Sequence, residues 1–215
     1  FFSISKALKI PLNLNSSAPN LTPIPLKKPH RANLNEPKQH APEKQYYIDD
    51  ADFENIVRII HICGTALEES ARTFNRFNEE ELRDYIKGML TSHYENAVGK
   101  TDIQIQRDDK AAFIAECKVW HGIKLFSDAI DQLFCYATWK DTKLSLVVFN
   151  KDNKNFAGIQ QQVQNWIKEN CKSYKQWNSN IWDCVKYRED TGRDVRLAIA
   201  LYDVSIKELP SSKKN

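Results

Sequence analysis

The sequence lacks several features that would place it in a class at once. It has no run of about 20 consecutive apolar residues, which a membrane-spanning helix needs, and no segment that resembles a secretory signal. We therefore expect a cytoplasmic protein without membrane contacts. No zinc-ligand spacing of Cys and His occurs, and the odd set of scattered cysteines predicts reduced, buried thiols rather than a disulfide framework. These cysteines are Cys63, Cys117, Cys135, Cys171 and Cys184.

Proline is almost missing from most of the chain. Seven of the eight prolines lie in residues 1–45, where seven Lys/Arg and two Glu give a charge of +5 and leave −2 for the remainder of a chain of net charge +3. Proline lacks a backbone N–H and resists helix and sheet interiors. We predict that residues 1–45 form a basic, Pro-rich linker or arm. Because the chain starts with Phe1, we expect a longer protein with an upstream domain.

Hydrophobic periodicity predicts one α/β domain over residues 46–215, with a mixed central sheet. A long helix follows Asp49 and Asp50, and a second helix starts after Asn78 as N-cap, with glutamates in its first turn. The remaining predicted elements are a hairpin with a three-residue loop at 108–110, a helix capped by Ser127, a strand at 144–149 buried on both faces, a helix through 156–167, and a hairpin around 190–192.

The first hairpin carries the most informative residues. Asp102 begins one strand, whereas Glu116 and Lys118 end the other, which is otherwise apolar. Charges on such a strand are costly unless they are paired or bind an ion. With the three-residue loop Asp102 lies opposite Glu116, and all three side chains share a face because side chains alternate along a strand; a two-residue loop would shift this register by one.

Two carboxylates and an amine at one strand end suit phosphodiester cleavage. Mg²⁺ prefers oxygen ligands, and a lysine beside it stabilises charge on a reacting phosphate. The alternative is a charge pair that merely emerges into solvent. Lys100, just before the motif, is either a phosphate contact or a solvated loop lysine.

Gln132 and Tyr136 stand at i and i+4 of the next helix and share one of its faces. An acidic helix, then Asp102, Glu116-Cys-Lys118 and Gln132-x-x-x-Tyr136 resembles the motif order of PD-(D/E)xK nucleases, and is most similar to the RecB-type and Mrr-type branches. The resemblance covers residues 50–205. Thr101 stands where the proline that names the motif would stand.

The resemblance implies a restriction-endonuclease-like fold and a role for each motif residue. Asp102, Glu116 and the backbone carbonyl of Cys117 would ligate Mg²⁺ or Mn²⁺, and Lys118 would position or activate the attacking water and offset phosphate charge. Glu79 would be the additional acid from the helix, with Glu80 as the fallback because helix phase does not separate the two firmly. Gln132 would orient the phosphate or the water, and Tyr136 would pack beside it or touch the DNA backbone.

The implied function is that of a metal-dependent DNA endonuclease, as the effector domain of a larger bacterial defence or restriction protein. RNA stays open as a substrate, and a homodimer stays open because two cuts on a duplex need two sites. One alternative is a catalytically silent nuclease-fold module that binds nucleic acid or a protein. Another is an unrelated α/β domain. The five tryptophans are expected to pack in the core or at its rim, and His121 to occupy an ordinary polar position.

Overall fold

The computed structural model of this chain describes residues 48–94, 97–98, 103–107, 110–137 and 143–206. The predicted arm at residues 1–45 lies outside this part of the chain. Among the described helices, none combines the length and apolar character that crossing a membrane requires.

Within the described residues, the chain alternates helices and strands around one open sheet. The helices are α1 (Asp50–Glu69), α2 (Ala71–Phe74), α3 (Glu79–Thr91), α4 (Ile123–Tyr136) and α5 (Phe156–Asn170). The strands are β1 (Ala97–Val98), β2 (Ile103–Arg107), β3 (Lys110–Val119), β4 (Lys143–Asn150), β5 (Ser173–Asn178), β6 (Ile181–Arg188) and β7 (Arg193–Asp203).

The sheet has the strand order β1-β2-β3-β4-β7-β6-β5. Because β1 has only two residues, six full strands build most of it. The central strands β3, β4 and β7 run parallel to one another, and the outer pairs are antiparallel. The predicted α/β architecture with a mixed sheet is therefore confirmed.

Two apolar layers cover the two faces of the sheet. Buried residues of α1 and α3 form one layer with alternate residues of β2 and β3, such as Ile103 and Phe113. Buried residues of α4 and α5 form the other layer, to which β3 contributes Ile114. Strand β4 is buried along its whole length and supplies side chains to both layers, as its continuous apolar sequence predicts.

The helix starts show one correct and one wrong prediction. Asn78 caps α3: its side chain accepts from the Glu81 N–H, and the Glu81 carboxylate accepts from the Asn78 N–H. Ser127 is not an N-cap, because α4 begins four residues earlier at Ile123, after Gly122 with φ 110°. The left-handed backbone of Gly122 turns the chain into the helix, and the Ser127 hydroxyl accepts from Trp166 Nε1.

The hairpin loop was predicted wrongly, yet the predicted register holds. Arg107 pairs with Lys110, so Lys110 belongs to β3 and not to a three-residue loop. A register shift between Ile105 and Gln106 compensates, and Ile103 pairs with Ala115. A β-bulge of this kind adds one residue to one strand, so it restores the alignment that a longer loop would have given.

The last hairpin is confirmed by the pairing of β6 with β7, whereas strand β5 was not predicted. The sequence of β5 is polar and mostly exposed, with no alternation of apolar residues to reveal it. It is an edge strand, held by backbone pairing to β6 and by the packing of Trp177 on the apolar layer of α1 and α3.

Candidate active site

Several of the predicted residues lie around the carboxyl end of β3. Glu116 and Lys118 lie near the carboxyl end of β3, which ends at Val119. Helix α3 approaches this point with its first residue, Glu79, and α4 leaves it a few residues later, carrying Gln132. Because β3 is parallel to β4, this is the carboxyl edge of the sheet, where open α/β sheets commonly bind ligands.

The Lys118 amine bridges two carboxylates. Its Nζ atom lies 2.6 Å from Glu116 Oε1 and 3.2 Å from Glu79 Oε1. The Glu116 side chain is 5% exposed, and the side chains of Lys118 and Glu79 are partly exposed at 28% and 40%. The cluster therefore runs from a buried carboxylate to one that solvent can reach.

The structure decides between the two candidate helix acids. Glu79 accepts from Lys118 with Oε1 and from the Val119 N–H with Oε2, at 3.2 and 2.9 Å. Glu80 is exposed, one residue further around the helix. Glu79 is thus the acid that α3 brings to the site, and it ties the start of that helix to the end of β3.

The surroundings keep the Lys118 amine charged. Partial burial lowers the pKa of Lys118, but the hydrogen bond and charge of Glu116, together with the charge of Glu79, outweigh this effect, so its pKa is raised. An ammonium group fixed between two carboxylates is suited to offset negative charge at a defined place.

The Cys117 side chain has no place in this cluster, because it belongs to the apolar layer on the opposite face of β3. Burial raises the pKa of the Cys117 thiol, and the charges of Glu116 and Glu79 raise it further. A neutral, buried thiol is a poor ligand and nucleophile. The predicted metal-ligand role of Cys117, which concerns its backbone carbonyl, stays a prediction.

Glu79, Lys118 and Gln132 line one cleft of about 320 Å³. Tyr136 lies one turn beyond Gln132, and Gln132 Nε2 donates to the Tyr136 hydroxyl at 2.6 Å. Tyr136 is 43% exposed, so the hydrogen-bonded pair on α4 extends from the cleft to the solvent-exposed surface. The sequence prediction that these residues share one side of the helix is confirmed.

Two predicted residues, Asp102 and Lys100, lie outside the described residues, and their roles stay predictions. Among the residues that are described, no group of three or more His, Cys, Asp or Glu side chains is placed to hold a metal ion. Glu79 and Glu116 nevertheless each bring a carboxylate oxygen to the Lys118 amine. That donor chemistry fits Mg²⁺ or Mn²⁺, for which a third donor must come from elsewhere.

The cleft is also lined by residues that the sequence alone did not assign to the site, among them Trp120, His121, Leu125 and Asp128. Trp120 and His121 directly follow β3, so their closeness to Lys118 was visible in the sequence. Asp128 precedes Gln132 by four residues and shares its helix face.

Comparison with protein-family models, with curated proteins and with solved structures finds no match for this chain.

Proposed function

We propose that residues 48–206 belong to a metal-dependent nuclease domain of restriction-endonuclease-like fold that hydrolyses phosphodiester bonds in DNA. The observation that carries the proposal is the convergence of Glu79, Glu116 and Lys118 beside a cleft that Gln132 also lines. Two of these residues come from one strand and two from separate helices. Their meeting at one strand end is the arrangement that the PD-(D/E)xK motif order implies.

The charge balance of the cleft supports a need for a divalent cation. Glu79 and Asp128 line it, Glu116 contacts Lys118, and among the described residues Lys118 is the one lysine in the lining. A phosphodiester is itself an anion, so these carboxylates would repel it without an added cation. Glu116, the Cys117 carbonyl and Asp102 would hold the ion. When bound, it would supply Lewis-acid chemistry that activates water and offsets phosphate charge.

The described side chains have separable tasks in this reaction. Lys118 presents an ammonium group whose position Glu116 and Glu79 fix, and it offsets the charge that develops on the phosphate. Gln132, held by Tyr136, orients the phosphate or the attacking water by hydrogen bonding. The bond formed joins the water oxygen to phosphorus, and the bond broken joins phosphorus to the leaving sugar oxygen, which takes up a proton.

The deciding experiment is cleavage of supercoiled plasmid, linear duplex and single-stranded DNA in Mg²⁺, in Mn²⁺ and in EDTA. Wild type is expected to cut in either metal and not in EDTA. Glu116→Gln and Lys118→Met are each expected to reduce the rate by about 100-fold or more. Glu80→Gln changes an exposed carboxylate next to Glu79 and serves as the matched control with unchanged cutting.

Two outcomes would count against this function. Cutting that survives both Glu116→Gln and Lys118→Met would locate the chemistry elsewhere. Wild type that cuts no DNA in either metal, while still binding it, would favour the alternative of a catalytically silent nuclease-fold module.

A further inference from the structure

The cleft beside Lys118 has an apolar wall that phosphodiester hydrolysis does not need. Trp120, Leu125 and Phe126 line it together with the polar residues. Leu125 is 53% exposed, which leaves a large aliphatic side chain in solvent at the cleft. Apolar surface beside a few placed polar groups is the usual make-up of a small-ligand site.

Trp120 is the flat part of this wall, and its surroundings hold it in place. Its backbone N–H donates to the Phe149 carbonyl at 2.8 Å, which fixes the chain to the end of β4. Its ring packs on Phe126 with 6.0 Å between centroids, and Phe126 packs edge-on against Trp166 at 5.3 Å. A half-buried indole held by this hydrogen bond and by the tilted contact with Phe126 offers a stacking surface to the cleft that it lines, at little cost in entropy.

Asp128 gives the cleft a hydrogen-bonding end. It lies on the exposed side of α4, one turn before Gln132, and both line the cleft. A carboxylate accepts hydrogen bonds only. It is therefore complementary to the amino and imino N–H groups of a nucleobase edge and repels phosphate.

The size of the cleft limits what it can hold. Its volume of about 320 Å³ is at the lower end of the roughly 300–1,000 Å³ of small-molecule sites. A space of this size admits a single base with part of its sugar. It does not admit the stacked and paired bases of a duplex.

We propose that this cleft binds one unpaired nucleobase, stacked on Trp120 and hydrogen-bonded by Asp128, so that single-stranded DNA is the substrate class of the site. In a duplex the base faces are stacked and the Watson–Crick edges are paired, so neither contact forms. The cutting of such DNA rests on the proposed nuclease function, whereas the binding of the base does not.

Binding by the full chain, with Ca²⁺ in place of Mg²⁺ and at one fixed salt concentration, tests this proposal. The probes are a fluorescently labelled oligo-dC of about 12 nucleotides, the same length with abasic sugars, and the dC·dG duplex. All three carry phosphates, but only the first offers unpaired bases. The oligo-dC is expected to bind at least about 10-fold more tightly than either other probe, because a stacked base adds to the phosphate contacts.

The variants separate stacking from folding. Trp120→Leu is expected to weaken oligo-dC binding by about 5- to 150-fold, the range found for loss of one base-stacking aromatic side chain. Trp120→Phe keeps a flat ring and is expected to retain most of the affinity, which excludes a mere folding defect. Trp177→Leu is the matched control, because Trp177 packs on the other apolar layer, away from the cleft lining, and its loss is expected to leave binding unchanged.

Equal binding of the abasic probe, tighter binding of the duplex, or a Trp120→Leu variant that binds like wild type would overturn the proposal. Cleavage assays with the same probes separate it from the nuclease function. A chain that cuts plasmid with no effect of Trp120 substitution is a nuclease without this base site. A chain that cuts nothing but binds oligo-dC through Trp120 has the base site without the nuclease function.

Discussion

Glu79 and Lys118 lie 39 positions apart in the sequence and form an ion pair of 3.2 Å at the mouth of the cleft. The second oxygen of Glu79 accepts from the Val119 N–H, so the same carboxylate holds both the lysine side chain and the strand that carries it. Glu79 therefore has two tasks, one at the lysine and one in fixing α3 to β3.

Replacement of Glu79 by Gln tests the first of these tasks. The amide oxygen can still accept from Val119, but the ion pair with Lys118 is lost. Cleavage is expected to fall by about 10-fold or more, with a change in unfolding free energy below about 1 kcal/mol, since the pair is partly solvated. Initial rates on single-stranded DNA and on plasmid measure the first effect, and urea unfolding curves measure the second. An equal loss of cleavage rate in Glu80→Gln would show that the rate depends on local negative charge and not on the contact with Lys118.

Glu116→Gln is expected to separate activity from stability. The buried carboxylate carries a desolvation cost that its pair with Lys118 offsets. In the variant Lys118 keeps Glu79 as a partner, so we expect unfolding free energy to change by less than about 1.5 kcal/mol. Cleavage is expected to fall by about 100-fold. A loss of about 3 kcal/mol or more would instead make Glu116 chiefly a structural residue.

A second acid, which is mostly shielded from solvent but lies away from the cleft, provides a control for stability. Asp183 is 10% exposed and pairs with Arg196 at 2.6 Å, on strands β6 and β7; it does not line the cleft. Asp183→Asn weakens an ion pair that holds the sheet, so it is expected to reduce stability and leave cleavage intact at a temperature where the variant is folded. Together the two substitutions distinguish a site carboxylate from a framework carboxylate.

The sequence predicted the site residues better than it predicted the connections between them. Glu116 and Lys118 were visible because charge is unusual at the end of an apolar strand, and Asn78 was visible because capping is a local effect. The bulge near Ile105 was not predicted, since nothing in the local sequence marks the residue that stays unpaired. Its position depends on how β2 and β3 pair with each other, which hydrophobic periodicity does not encode.

Other features failed for reasons of long-range packing. The start of α4 depends on Gly122, whose positive φ is compatible with many turns and identifies a helix start only in the folded chain. To tell which of Glu79 and Glu80 reaches Lys118, the rotation of α3 relative to β3 must be known to a fraction of a helical turn. The sequence does not provide it. Trp120 gave no sign of its exposure to the cleft, because an aromatic residue after a strand is more often part of the core.

The Asp50 carboxylate is expected to make stability depend on pH. It accepts from Lys143 Nζ and from Arg196 Nη1, each at 2.8 Å. The hydrogen bond from Lys143 lowers the pKa of Asp50 against the opposing effect of burial, and the charges of Lys143 and Arg196 lower it further. Because the folded-state pKa is below the unfolded value, the stabilisation is present above the unfolded pKa and is lost as pH falls through the folded one.

Asp50→Asn is accordingly expected to lower the Tm at pH 7, by a free energy of about 1 kcal/mol or less because Asp50 is largely exposed. The Tm gap between wild type and variant is expected to narrow below about pH 4 and to close once the wild-type carboxyl is protonated. Thermal unfolding from pH 7 to pH 3 measures it. Asp84→Asn, an exposed carboxylate that pairs with the adjacent Arg83, is the control. A gap that stays constant with pH would contradict the ionic origin.

Two helical glycines are expected to respond to alanine with opposite signs. Gly64 of α1 is buried, and a Cβ atom there would overlap the ring of the fully buried Tyr202 on β7. Gly88 of α3 is exposed, with nothing near the position that a Cβ atom would take.

Gly64→Ala is expected to destabilise by about 1–3 kcal/mol, because α1 or Tyr202 has to shift. Gly88→Ala is expected to stabilise by about 0.5–1 kcal/mol through helix propensity alone. Since both replacements gain the same propensity, their difference in urea unfolding isolates the close contact between α1 and β7, and a stabilising Gly64→Ala would show that this contact is not formed.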